Sequence, residues 1–362
     1  MKILIVKLSS LGDILHMFPA TSDLRRCFPE ADIHWLVEPS FAEAAGWHSA
    51  INNVITVPLR YYKKRWWNIP ALLIKLRRQL RAENYDFVLD AQGLLKSALL
   101  SRLAGAAVFG FDAKSARESL AARHYKKTAS VPEGLHIIEK NRQLVAKLFN
   151  ADLTQPIDFG LDKFRKNQIQ TDLPSALKEI SKLPYIVLLH GTTWNSKHWP
   201  EPAWQELIDI FSQHGWYCIL PWGNEVECQR AYRLQGARDG HTQVLPKLSL
   251  TDLMNVLLHA RAFISVESGI GHLAAALDVP GVMLHGPTSP NYSGILGKSC
   301  IHLTSNLACS PCFKRECPIL HGAINPPCQK DITPQQVYQK YLSLISKNDE
   351  FETKQTDKMP ST

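Results

Sequence analysis

Short, mostly apolar runs recur along the chain. Each is followed by a turn of small or polar residues and then by a segment whose apolar positions return every three or four residues. In the N-terminal half the runs are Ile3–Val6, Ile33–Val37, Val54–Val57, Phe87–Leu89 and Val108–Phe111, with helical spacing over Ile14–Arg26, Ile69–Ala82 and Leu94–Leu103. Continuous apolar runs suit strands buried on both faces, and their alternation with helices implies right-handed βαβ units and a parallel sheet. A helical stretch over His136–Phe149 leads into a polar segment, Asp152–Lys182, read as a linker. At Tyr185 the pattern restarts, with strands over Tyr185–Leu189, Tyr217–Leu220, Ala262–Val266 and Gly281–Leu284 and helices near Glu201–His214, Glu225–Leu234, Leu250–His259 and His272–Leu277. Two α/β domains are expected, 1–165 and 183–333. A last helix over 334–346 is expected to return to the N-terminal domain, and the polar tail 347–362 to be disordered.

Composition narrows the partners. The chain has 362 residues, 45% of them hydrophobic, enough for a sizeable core in each domain. No apolar run approaches a membrane span, and the first residues read as a core strand rather than a signal peptide, so a cytoplasmic protein is expected. The formal charge of +8 suggests an acidic partner. A nucleic-acid partner is not expected, because no recognition-helix, zinc-finger or aromatic RNA-binding signature is present. Eight cysteines are too sparse for a secreted disulfide framework and fit reduced thiols.

Candidate chemistry sits where strands end. Asp13 follows the first strand through the turn Lys7-Leu-Ser-Ser-Leu-Gly, at the edge where open α/β sheets bind ligands; it equally suits a helix cap. In the second half, His190-Gly-Thr192-Thr193-Trp-Asn-Ser-Lys197 joins two hydroxyls, a glycine and a cation, a set suited to a diphosphate or to an ordinary turn with a solvated lysine. The turn Glu267-Ser268-Gly269-Ile-Gly271-His272 opens a helix whose amides can meet an anion, although His272 also suits a core or cap position. Glu227, beyond Pro221-Trp-Gly223, can take ribose hydroxyls or belong to a solvated helix face. The dinucleotide fingerprint G-x-G-x-x-G is missing after the first strand, against a redox enzyme.

Together these segments resemble the lipopolysaccharide heptosyltransferases, over roughly Met1 to Ser343. The matching pieces include Lys7–His16, Asp90-Ala-Gln-Gly-Leu94, Ser115–Glu118, Thr192-Thr193 with Lys197–Pro200, Val244–Leu250 and Ser268–His272. The resemblance implies an α/β GT-B glycosyltransferase with two Rossmann-like domains facing across a cleft. It implies transfer of L-glycero-D-manno-heptose from ADP-heptose to the Kdo of Kdo-lipid A, with inversion, at the cytoplasmic face of a Gram-negative inner membrane. Asp13 then matches the general base and Lys197 the residue that neutralises the leaving group. Thr192, Thr193, Lys197, Glu227, Leu248, Glu267, Ser268, Gly269 and His272 fall where ADP-heptose is held. Lys7, Ser10, Arg60, Lys63, Lys64, Gln92 and Arg117 fall where the anionic acceptor is expected.

Two features depart from the type I pattern. The family commonly has Asp where Glu267 stands, and Cys309-Ser-Pro-Cys312-Phe-Lys-Arg-Glu-Cys317 with Cys328 looks more like the type II enzymes, which add the second heptose. Asp90-Ala-Gln-Gly and the basic segment Arg60–Arg65 favour type I. The four cysteines suit either a structural zinc or a loop of reduced thiols. No catalytic metal is expected. A non-catalytic nucleotide or nucleic-acid binding protein is the alternative of another class.

Overall fold

The protein is described by a computed structural model over residues 1–62, 66–162, 183–237, 240–320 and 325–356. It divides into two compact units, Met1–Lys166 and Asn167–Thr362. Each is built on a six-stranded parallel sheet.

In the first unit the strands are β1 (Lys2–Val6), β2 (Asp32–Val37), β3 (Asn53–Thr56), β4 (Phe87–Asp90), β5 (Ala107–Phe111) and β6 (Lys127–Ala129), ordered β3-β2-β1-β4-β5-β6. The second contains β7 (Tyr185–Leu189), β8 (Tyr217–Leu220), β9 (Thr242–Val244), β10 (Ala262–Val266), β11 (Gly281–His285) and β12 (Cys300–Thr304), ordered β12-β11-β10-β7-β8-β9. Both orders are the doubly wound one, with a switch point beside the first strand of each unit: between β1 and β4, and between β7 and β10. Register puts Val6 beside Asp90 in one sheet and Ser265 beside Leu189 in the other.

The central strands are buried along their whole length, which is why they read as mostly apolar runs. The strands that the periodicity missed are β6, β9 and β12, all at sheet edges. β12 is half-buried and β9 carries two polar residues in three, so neither shows a continuous run. The helix expected over Ile14–Arg26 is two helices, Leu11–Leu15 and Phe18–Cys27. Pro19 stands in the first turn of the second, where its missing N–H costs nothing, whereas inside one continuous helix it would break the ladder.

On one face of the first sheet Leu4, Val6, Leu36 and Val88 pack with Leu76 and Leu80 of the helix Ile69–Ala82. In the second unit Ile186, Leu188, Ile264 and Val282 pack with Trp204, Leu207 and Phe211 of the helix Glu201–Gln213. The last helix is longer than expected. It runs Pro334–Thr356, so residues 347–356 are helical rather than a disordered tail, and 357–362 lie outside the described residues. Val337, Tyr341 and Leu344 of this helix belong to the second unit's core.

Candidate active site

At the first switch point β1 ends in Lys7 and Leu8, and β4 ends in Asp90. Asp90 is fully buried. Its carboxylate accepts from Tyr125 Oη at 2.8 Å, Ser97 Oγ at 2.8 Å and the backbone N–H of Gln92 at 2.9 Å. Burial raises its pKa, and these hydrogen bonds oppose the rise. Lys7 is 4% exposed and donates through Nζ to Ala91 O at 2.7 Å. Burial lowers its pKa, against the nearby charges of Asp13 and Asp90.

Leu8 ties three strand ends together. Its N–H donates to Gln92 Oε1 at 3.0 Å, and its carbonyl accepts from Glu38 N, just beyond β2, at 3.1 Å. The Gln92 carbonyl is therefore spent on shaping the turn. Asp13 lies on the first helix, half-buried, and its Oδ2 accepts from Ser10 N at 2.8 Å and Ser10 Oγ at 3.1 Å. It is a helix cap, and the same bonds hold the carboxylate at the ligand edge of the sheet.

Arg117 is exposed beside Gly93, whose carbonyl accepts from Glu118 N at 2.9 Å. Arg60 is exposed, with its guanidinium 5.4 Å from the Phe41 ring, and its backbone N–H meets the Glu38 carboxylate. The first unit thus gathers Lys7, Ser10, Asp13, Gln92 and Arg117 around one switch point, with Arg60 at the neighbouring strand end. Lys63 and Lys64 lie outside the described residues.

The second switch point is built differently. Thr192 Oγ1 donates to Glu267 O at 3.0 Å, so the turns after β7 and β10 are joined directly. Lys197 Nζ lies 3.0 Å from Glu267 Oε2 and 4.2 Å from the Trp194 ring centroid. Glu267 is 7% exposed; Ser293 Oγ donates to its Oε1 at 2.8 Å, and Thr288 Oγ1 donates to Oε2. Burial pushes its pKa up, but the Lys197 charge, with His285 and the Thr288 bond, holds it below the usual value. Both Glu267 oxygens are engaged, and this side chain holds Lys197 in place.

Ser268 caps the helix Gly269–Ala276 by accepting from Gly271 N at 3.2 Å. No acidic residue occupies the first turn, so the positive end of that helix is left uncompensated. Gly271 lies so close to the sheet that a Cβ there would stand 2.6 Å from Ser265 Oγ. His272 is buried within this helix and its charge bears on Glu267.

Glu227 accepts from Gly223 N at 2.8 Å, and a Cβ on Gly191 would stand 2.7 Å from its Cδ, so only glycine lets the β7 turn lie against this carboxylate. Thr193 is exposed, and Leu248 is half-buried in the loop between β9 and the helix Leu250–Leu258. A cation, two adjacent hydroxyls and a helix start at one switch point suit a nucleoside diphosphate, with Glu227, in the first turn of the helix Glu225–Gln235, beside them for a ribose.

Sequence reasoning missed Asp90 and Tyr125 as the organisers of the first turn, and Thr288, Ser293 and His285 around Glu267. An acid closing an apolar strand was the one available signal for Asp90. The others lie far away in sequence. The four cysteines are reduced; burial, and then Cys312, Cys309 and Cys317, push the Cys328 thiol up to about 11.

Comparison with known proteins agrees with this geometry. Residues 73–322 match the model of glycosyltransferase family 9 (heptosyltransferase). Lipopolysaccharide heptosyltransferase 1 of Pseudomonas aeruginosa is 44% identical over 321 residues, 88% of this chain and 87% of that protein. The solved structure of E. coli heptosyltransferase WaaC with ADP-2-deoxy-2-fluoro heptose is 35% identical, covers 95% of this chain and 99% of its own, and superposes with a TM-score of 0.78. E. coli ADP-heptose lps heptosyltransferase II superposes at 0.74 with 20% identity, a likeness of fold alone.

The chain belongs to glycosyltransferase family 9, the heptosyltransferases, and within it to the group of the lipopolysaccharide heptosyltransferases 1. Its fold is the α/β GT-B fold with two Rossmann-like domains, and its activity is heptose transfer in assembly of the lipopolysaccharide inner core. The type II and non-catalytic alternatives are not favoured.

Proposed function

We propose that the enzyme moves L-glycero-D-manno-heptose from ADP-heptose onto the Kdo of Kdo-lipid A, with Asp13 as general base and Lys197 at the leaving diphosphate. The observation that carries the donor half is the hydrogen bond from Thr192 to Glu267 O, which unites the Thr192–Lys197 turn with the start of the helix Gly269–Ala276. A sugar hydroxyl is a poor nucleophile at neutral pH, and a carboxylate that takes its proton as the bond forms lowers the barrier. ADP departs with growing negative charge, which Lys197 and the amides after Ser268 stabilise. Attack opposite the departing diphosphate inverts the anomeric carbon.

Lys7, Gln92, Arg60 and Arg117 are the acceptor side of this reading, joined by Ser10, Lys63 and Lys64. The acceptor is anionic, and exposed arginines suit carboxylates and phosphates through bidentate contacts. Among the described residues no helix is long and apolar enough to cross a membrane. Association with the cytoplasmic face of the inner membrane is therefore proposed as peripheral, through exposed Trp67 and the basic stretch around it.

A structural zinc at Cys309, Cys312, Cys317 and Cys328 is a separate proposal carried by their spacing. Among the described residues no set of His, Cys, Asp and Glu stands ready to hold an ion, and no step of the transfer is routed through one. Zinc analysis of the purified protein tests it: one equivalent supports the site, and none removes it.

The transfer itself is tested by mass spectrometry after incubating purified enzyme with ADP-heptose and Kdo-lipid A, then with the heptosylated acceptor. One heptose added to Kdo-lipid A alone is expected. Addition only to the heptosylated acceptor would overturn the acceptor assignment.

A further inference from the structure

Lys197 is fixed at both ends. Its ammonium is held by Glu267 and Trp194, as described above. Its backbone lies in a single short turn, Asn195–Lys197, and that turn is tied to a distant part of the same unit. Ser196 N donates to Arg315 O at 3.1 Å and Ser196 Oγ to Lys314 O at 2.6 Å, both in the cysteine-bearing segment. Gln329, on the short helix Pro327–Lys330, donates through Nε2 to Lys197 O at 3.1 Å and lies 3.5 Å from Ser196 O.

Gln329 is an unusual choice for such a place. It is 1% exposed, and its Oε1 is buried with no hydrogen-bond partner among the described residues. The amide cannot turn over to correct this, because its oxygen would then face two carbonyl oxygens. A buried acceptor left unpartnered lowers stability, so stability alone would favour an apolar side chain of the same size. Room for the amide comes from Gly286, where a Cβ would stand 2.6 Å from Gln329 Nε2. What the glutamine retains in exchange is its donor on the carbonyl of Lys197.

We propose that Gln329 is a positioning residue for heptose transfer, acting on the donor through the backbone of Lys197. The inference rests on the reading that Lys197 meets the donor diphosphate.

A double-mutant cycle tests it. Gln329→Met preserves size and removes the donor. Alone, it should lower kcat/KM for ADP-heptose about tenfold, through both kcat and donor KM, with the acceptor KM unchanged. Placed on Lys197→Ala, the same change should cost less than about twofold, since the residue through which it acts is gone. Gln329→Leu, which also removes the donor, supplies the cycle if the methionine variant does not fold. Wild-type kinetics for a folded Gln329 variant, or an undiminished loss on the Lys197→Ala background, would overturn the proposal. If Lys197→Ala itself left donor kinetics untouched, the donor reading would fall and the role of Gln329 with it.

Discussion

The two units share a strand order yet fill their switch points with opposite charge logic. In the first, the helix after β1 carries its own carboxylate at its start, because Asp13 occupies the first turn and bonds back to Ser10. In the second, the helix after β10 begins with Ser268 and glycines and has no acid in its first turn. One helix start is already neutralised; the other is open to an anion. The buried ions differ in the same sense. Asp90 is satisfied by neutral donors, whereas Glu267 is balanced by Lys197, a cation 12% exposed in its side chain. A common scaffold thus places a capped carboxylate at one switch point and a buried lysine beside an acid-free helix start at the other, the pair that the proposed mechanism uses as base and diphosphate cradle.

The comparison breaks most sharply at Asp13. Asp13→Asn keeps shape and the acceptor for Ser10 but loses the base, and turnover should fall on the order of 10²-fold or more. Wild-type turnover in a folded variant would leave Asp13 as a cap only.

Lys197→Ala comes next. It touches both ground-state diphosphate and leaving-group charge, so donor KM should rise and kcat fall, each by about tenfold. It also leaves Glu267 buried without its cation, and Glu267→Gln in the same background should recover part of any lost stability. A change in acceptor KM alone would move the donor cradle elsewhere.

A smaller effect is expected from Arg60→Ala with Arg117→Ala. Acceptor KM should rise several-fold, about threefold to tenfold, while donor KM stays and the salt dependence of activity flattens. Steady-state kinetics at two ionic strengths read this directly; a donor-KM effect would contradict the division between the units.

Acid breaks the comparison through stability rather than through kinetics. Burial, and then Arg230, lower the pKa of His190 to about 3 and that of His198 to about 4; burial lowers that of His285 to about 3. In the first unit His48 is lowered to about 4 by burial. An unfolded histidine binds a proton below about 6.5 that these native ones refuse, so their contribution is complete above pH 6.5 and is lost as pH falls towards 4. The slope approaches about 1.4 kcal/mol per pH unit for each. Glu267, held below its usual pKa, adds a loss of the same sign below about 4.5. The second unit should open first on acidification, seen as earlier hydrogen exchange in β7 than in β1. The reverse order would contradict it.

Much of this was legible in the sequence, for a definite reason. Central strands buried on both faces advertise themselves as apolar runs, so the edges of β7, β8 and β10 were read to the residue. The edge strands β6, β9 and β12 carry mixed residues and left no such mark. Candidate residues in the segments that follow a strand, such as Asp13, Lys197 and Ser268, could be singled out because position and chemistry coincide in one segment. Asp90 with Tyr125, and Lys197 with Gln329, were not, because each pair is made by contacts 35 and 132 residues apart.

The central claim, that the first unit supplies the base and the second the diphosphate cradle, is tested most directly by titrating ADP into Asp13→Asn and Lys197→Ala by calorimetry. The account predicts wild-type ADP affinity for Asp13→Asn, despite its lost turnover, and an affinity about tenfold weaker for Lys197→Ala. Weakened ADP binding in Asp13→Asn with wild-type binding in Lys197→Ala would contradict it.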